Sequence, residues 1–251
     1  MPVQFARKLT GPVRLQSANR QLGLVLAFVA GAINAGGFLA VHQYTSHMTG
    51  IVSAIADNAV LGHVDVIPLA LAALISFTAG AACSAVMVNF ARRRQLHSQY
   101  ALPLLLEAVL LLCFGVAGAQ LNGRDPLYVS LTMMLLCFIM GLQNALITKL
   151  SGAEIRTTHI TGIVTDIGIE LGRMAYWHSG SHAQLPPVRA DRDHLRFLLG
   201  LAGCFASGAL IGADGFHRVG YAMSVPLAVL LLALASVPMI DDLRASRSGK
   251  Q

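Results

Sequence analysis

Six stretches of this chain, 21–41, 66–90, 101–120, 127–148, 195–213 and 219–240, are mainly apolar. Each is close to the roughly 20 residues a helix needs to cross a ~30 Å hydrocarbon core. No water inside lipid satisfies backbone N–H and C=O groups, and unbroken runs of this length leave the helix as the structure that satisfies them internally. The charge content agrees: 12% of residues are Asp, Glu, Lys or Arg, against about a quarter in a soluble domain. An all-α, multi-pass membrane protein is expected, with the lipid bilayer as its solvent. The net charge of +6 would suggest nucleic acid in a soluble chain. Here the basic residues flank apolar runs, where they set topology and meet anionic headgroups, so no nucleic-acid partner is expected.

A second constraint is a passage that occurs twice. Gly31-Ala-Ile-Asn34-Ala leads to His47-Met-Thr-Gly-Ile-Val-Ser53, and Gly141-Leu-Gln-Asn144-Ala leads to His159-Ile-Thr-Gly-Ile-Val-Thr165. Each copy sits late in a long apolar run and continues into a shorter segment closing on Leu61-Gly62 or Leu171-Gly172. These two segments carry Asp57 and Asn58, or Asp166 and Glu170, and they read as half-span or re-entrant helices. The organisation expected is a basic cytoplasmic tail (1–20), a first membrane repeat (21–120), a second repeat (127–240) with a cytoplasmic loop at 174–193, and a C-terminal cytoplasmic tail (241–251).

Six crossings place both termini on one side. With that side cytoplasmic, all of the 18 Lys and Arg residues except Arg124 and Arg218 lie inside, as the positive-inside rule requires. Counting the two short segments as full spans spreads the basic residues across both faces, so six spans are preferred. Run 21–41 then points outward and 127–148 inward, making the duplication an inverted internal repeat. Cleavage of the first run as a signal peptide at Ala30-Gly31-Ala32 would cut the repeated Gly-x-x-Asn-Ala, so this run is read as an anchor.

Inverted repeats of broken helices build solute sites at the midplane of transporters. Asn34 stands 13 residues past Gln21, about 20 Å along a helix, and Gly36-Gly37 follow it. Either the helix breaks there, or these glycines let neighbouring helices pack closely. Thr45 and Ser46, like Thr157 and Thr158, offer hydroxyls to cap helices starting near His47 and His159, and such helix starts favour negative charge. The substrate-binding candidates are Asn34, His47, Thr49 and Gly50 in the first copy, and Asn144, His159, Thr161 and Gly162 in the second. His159, Gly162, Asp166 and Glu170 fall on one helical stripe, and a carboxylate at membrane depth is costly enough to imply a role or contact with water. Asp166 and Glu170 are therefore the coupling candidates, Asp166 first. Glu107, six residues into the third run, is read as snorkelling to the cytoplasmic edge.

Cys83, Cys113, Cys137 and Cys204 lie in apolar stretches without a Cys-x-x-Cys pair, so neither disulfide nor zinc is expected. His178 and His182 are a weak metal signal among Ser, Gly and Pro, and no metal or cofactor is expected. No Gly-x-Ser-x-Gly, His-Glu-x-x-His or P-loop is present, and no enzyme is expected.

Gly31 to Asn34, His47 to Gly50, Met140-Gly-Leu-Gln-Asn144-Ala and Thr157-Thr-His-Ile-Thr-Gly162 together resemble the YoaK-like family of small bacterial inner-membrane proteins, a family defined by a domain of unknown function. Where that family commonly has Asn after the first Thr-Gly, this chain has Ile51. The resemblance implies a six-span protein of the bacterial inner (plasma) membrane and no established activity. Function rests on the residues: a secondary transporter or channel-like permease for a small solute or ion, anionic in one form of the reading, and able to pair as a homodimer. The alternative is a non-transporting scaffold or regulator whose basic cytoplasmic loop binds a partner or lipid.

Overall fold

The computed structural model describes residues 16–96, 99–119, 126–150, 160–176 and 189–248. Thr157, Thr158 and His159, the loop residues 177–188 with His178 and His182, Gln120, Arg124 and both chain ends lie outside these. The described residues contain helices and no strand. The helices are α1 (Gln16–Val41), α2 (Met48–Leu61), α3 (Ile67–Arg93), α4 (Ala101–Ala119), α5 (Pro126–Leu150), α6 (Ile160–Ala175), α7 (Arg192–Val219) and α8 (Ser224–Ser248), with a 3-10 turn at Gly220–Met223 before α8.

Five elements are long and apolar enough to cross a membrane: Asn19–Val41, Ile67–Arg93, Ala101–Ala119, Pro126–Lys149 and Arg192–Ser236. The chain is a multi-pass membrane protein. The fifth element has 45 residues, about 68 Å at 1.5 Å per residue, more than twice a hydrocarbon core. It holds the run 195–213 and most of 219–240, and the chain divides it at Gly220, whose φ of 64° suits a residue without Cβ. α2 has 14 residues and α6 has 16, about 21 and 24 Å, so neither spans a core by itself. Gly62 closes α2 in the left-handed conformation, with φ 81°, as a helix C-cap prefers.

No break occurs at Asn34. α1 is continuous through Asn34 and Gly36-Gly37 to Val41, and α5 is continuous through Asn144. The glycines serve close packing instead. A Cβ on Gly36 would strike the Phe216 ring, and one on Gly37 would lie 3.2 Å from Leu136.

The helices pair by a rule that the two halves share. α1 packs along α7 and α3 along α5, and each crossing is made by two Phe-x-x-Gly units. In the first, a Cβ on Gly31 would meet the Phe205 carbonyl, and one on Gly208 the Phe28 carbonyl. In the second, Gly141 faces the Phe77 carbonyl and Gly80 the Phe138 carbonyl. Without hydrophobic drive between helices in lipid, such close backbone approach and its van der Waals contact supply the association. Ser76 adds an interhelical bond, its Oγ donating to the Met134 carbonyl at 2.6 Å.

Residue order fixes the directions. Low numbers in α1 meet low numbers in α7, as Leu24 meets Gly200 and Gly36 meets Phe216, so the pair is parallel. Ser76 beside Met134 and Asn89 beside Lys149 make α3 and α5 parallel too. α1 and α5 run antiparallel, with Gln143 Nε2 donating to the Leu26 carbonyl at 3.4 Å and Gly37 near Leu136. These two are the most buried spans, at 50% and 61%, and they form the centre of the bundle. α4 and α8 pack antiparallel at one side, where Gly115 meets Ser224 and Phe114 meets Tyr221.

Candidate functional site

After α1 the chain reverses at His42, whose φ is 53°, and residues 42–47 fold back along the helix they have left. Tyr44 stacks on Phe38 with ring centroids 4.7 Å apart. Thr45 is buried, and the Ser46 hydroxyl donates to Asn34 Oδ1 at 2.9 Å. This contact corrects the capping expectation for the first copy. His47 holds the N-cap position of α2 without a side-chain capping bond: the Ser46 hydroxyl is engaged by Asn34, and the buried Thr45 hydroxyl has no hydrogen-bond partner among the described residues. The His47 imidazole lies over Gly50, where a Cβ would collide with the ring, so the His-x-x-Gly spacing leaves room for the ring.

The bond to Asn34 draws the start of α2 back to the level of a residue well inside α1. The same level appears on α3, where Met48 and Thr49 share a cavity wall with Phe77 and Ala81, midway along that helix. The far end of α2 returns to the start of α3, with Asn58 beside Val66 and Ala70. α6 repeats the arrangement on α7. Its first residues Ile160 and Thr161 share a wall with Phe205 and Ala209, midway along α7, while Glu170 reaches the residue just before α7. Both short helices thus begin at mid-bundle and run back toward an end.

Two cavities meet at these helix starts. The first, about 620 Å³, is lined by Asn34, Ala35, Phe38 and Leu39 of α1, by Phe205, Ala209, Leu210 and Ala213 of α7, by Tyr44, Ser46 and His47, and by Ile160 and Thr161. The second, about 590 Å³, is lined by Asn144, Ala145, Thr148 and Lys149 of α5, by Phe77 and Ala81 of α3, by Ser46, His47, Met48 and Thr49, and by Thr161. Ser46, His47 and Thr161 belong to both walls. The walls also correspond through the duplication: Asn34-Ala35 answers Asn144-Ala145, and Phe205 with Ala209 answers Phe77 with Ala81. Phe38 and Leu39 on one side are replaced by Thr148 and Lys149 on the other, so the second cavity is the more polar.

Of the substrate-binding candidates, Asn34, His47, Thr49, Asn144 and Thr161 lie on these walls. Gly50 sits beneath His47, and Gly162 falls in the first turn of α6 outside both walls. Asn144 Nδ2 donates to the Met140 carbonyl at 2.8 Å, and Thr148 Oγ1 to the Asn144 carbonyl at 2.7 Å. The polar stripe expected on α6 divides. Ile160, Ile163 and Ile167 pack on the core, and Glu170 is buried beside them, bound to Arg173 at 2.6 Å and to the backbone N–H of Asp191 at 2.8 Å. Asp166 is exposed and lines neither cavity. Glu170 therefore ties α6 to the head of α7. There the Asp191 carboxylate accepts from the His194 and Asp193 N–H groups at 2.9 and 3.0 Å, and the His194 bond leads in holding it below the ordinary carboxylate range.

Sequence reasoning misses Ser46 as a partner of Asn34, and it misses Lys149 as a cavity residue, marking it only as a topology charge. Lys149 Nζ donates to Asn89 Oδ1 at 3.0 Å, and only the pairing of α3 with α5 brings those two residues together. The Phe-x-x-Gly units are visible as a pattern, but a fifth copy, Phe197 to Gly200, meets only the Leu24 side chain, so the pattern alone does not mark a crossing.

A model of the family described as protein of unknown function (DUF1275) matches residues 22–237. That supports the resemblance at the level of a domain of unknown function and does not carry the narrower YoaK-like grouping. No curated protein and no solved structure matches the chain.

Proposed function

The chain belongs to the DUF1275 family, and we propose that it is a permease for a small solute, with its site at the two adjoining cavities. The observation that carries this reading is the convergence of the duplicated motifs: Asn34 and Asn144, with the starts of α2 and α6, line two cavities that share Ser46, His47 and Thr161. In transporters of inverted-repeat design, short helices end at a common interior point where the halves meet. Irregular backbone at membrane depth is tolerated where it lines a cavity. The antiparallel course of α1 against α5 and of α4 against α8 supports six crossings arranged as such a repeat, with α2 and α6 as half-spans. Basic residues then favour both termini in the cytoplasm, and the YoaK-like resemblance implies the bacterial inner membrane. The motifs that resemble the YoaK-like group contribute Asn34, His47, Thr49, Asn144, Ile160 and Thr161 to the cavity walls.

The test is swelling of proteoliposomes in iso-osmotic glycerol, alanine or potassium pyruvate, the last with valinomycin present so that K+ enters with the anion, followed by light scattering. Protein-containing vesicles are expected to admit at least one of these faster than protein-free vesicles do. Thr161→Trp, which places an indole in both walls, should return that rate to the protein-free level while the variant still elutes as a folded species. Native protein that admits none of the three would count for the scaffold reading instead. Asp166 is proposed as the coupling group. It has no hydrogen-bond or ion-pair partner among the described residues, and a carboxylate within a bilayer is costly enough that it ordinarily marks a role or contact with water. Asp166→Asn is expected to abolish the dependence of uptake on a proton or cation gradient; an unchanged dependence removes Asp166 from the mechanism.

A further inference from the structure

From the lining of the second cavity we propose, resting on the permease reading, that its ligand is a small organic monoanion, held by Lys149 through its carboxylate and by Phe77 and Ala81 through its apolar body. Lys149 is the only formally charged residue on either wall, and no Asp or Glu lines either cavity among the described residues. Its ammonium is matched by a neutral amide, Asn89, which leaves the positive charge without a counter-ion among the described residues. The other groups facing this space include donors: the hydroxyls of Thr49 and Thr161 have no side-chain hydrogen-bond partner among the described residues, and neither does the His47 imidazole. An ammonium with hydroxyl donors beside an apolar wall is complementary to a carboxylate on a hydrocarbon body, since charge-assisted hydrogen bonds are the stronger ones and ligand pockets pair a few polar groups with an apolar lining. A cation or a polyol would leave the ammonium unanswered.

The duplication supplies an internal comparison. The residue answering Lys149 in the first cavity is Leu39, and the residue answering Thr148 is Phe38. Two cavities of similar size, each walled by an Asn-Ala pair and a Phe-x-x-x-Ala pair, thus differ in carrying a charge. Anion preference therefore belongs to the second cavity, beside the end of α5 that the basic residues place toward the cytoplasm.

The probe pair is phenylacetate and its neutral isostere phenylacetamide, added to the detergent-purified full chain, with thermal unfolding as the readout. Phenylacetate should raise Tm saturably by several degrees and phenylacetamide should not. Lys149→Gln should lose the phenylacetate shift, Lys149→Arg should keep it, and Val60→Gln, at an exposed position of α2 outside both walls, should leave it unaltered. Equal shifts from the two probes, or a phenylacetate shift that survives Lys149→Gln, would overturn the anion assignment. If Lys149→Gln does not fold, the probe comparison on the native chain decides. The two readings also fail separately. Phenylacetate binding without solute-dependent swelling would retain the anion site and end the permease reading, whereas glycerol swelling with no discrimination between the probes would do the reverse.

Discussion

Gly141→Leu is expected to cause the largest loss of stability of any single substitution considered for this chain. At that position the α5 backbone lies against the Phe77 carbonyl of α3, and any Cβ would strike main chain rather than the tip of a side chain. Overpacking a well-filled core typically costs about 1–3 kcal/mol. A site where only helix separation relieves the clash belongs at or above the top of that range. For a chain of this size each kcal/mol moves Tm by roughly 2–4 °C, so a fall of about 10 °C or outright aggregation in detergent is the expected result. Gly168→Leu is the control, because a Cβ at Gly168 meets nothing within 4 Å, and its Tm should stay near that of the native chain. Comparable Tm values for the two variants would mean that the α3–α5 crossing is looser than the Phe-x-x-Gly contacts describe. The same clash faces Gly31 at the other crossing, so Gly31→Leu should fail in the same way.

Replacing Glu107 by leucine should do the opposite and stabilise the protein. Glu107 is fully buried in α4, and neither of its carboxylate oxygens has a hydrogen-bond partner among the described residues. This overturns the snorkelling expectation, since a side chain on the inward face of a helix cannot reach the cytoplasmic edge however close in sequence that edge lies. A buried polar group without a partner costs roughly 1–3 kcal/mol, and the same spacing after a Pro-Leu pair in α8 carries an apolar residue. Pro103-Leu104 in α4 is followed three residues on by Glu107, and Pro226-Leu227 in α8 by Leu230. Glu107→Leu is accordingly expected to raise Tm by several degrees in detergent, with Glu107→Gln giving little or no gain because its amide would be equally unanswered. A lower Tm for the leucine variant would show that the carboxyl is engaged in a way its surroundings in the fold do not account for. A higher Tm combined with lost solute flux would assign Glu107 to function, kept at a cost in stability.

Much of the site is legible in the amino-acid sequence. Asn34, His47, Thr49, Asn144 and Thr161 stand out because they recur, and recurrence in two halves is a statement about space: equivalent residues are related by whatever symmetry relates the halves. Glu170 and Asp166 show where such reasoning ends. Four residues apart on α6, they share a face by sequence spacing. Whether that face meets the core, a neighbouring backbone N–H or open surface depends on how α6 lies against α7, and the helix by itself carries no information about that.

The sequence by itself determined that the chain is helical, that it belongs in a bilayer, and that its two halves carry one pattern. Run length and composition fix the first two, since lipid offers an exposed backbone no other partner, and residue identity at matching positions fixes the third. Only the tertiary structure decided that Asn34 leaves its helix unbroken, that Ser46 returns to it, that Phe-x-x-Gly units lock α1 to α7 and α3 to α5, and that Lys149 stands in a cavity wall. Each of these depends on which helices approach closely enough for backbone to touch backbone. In lipid that choice is made by steric fit between surfaces far apart in the chain, a property that apolar periodicity does not encode.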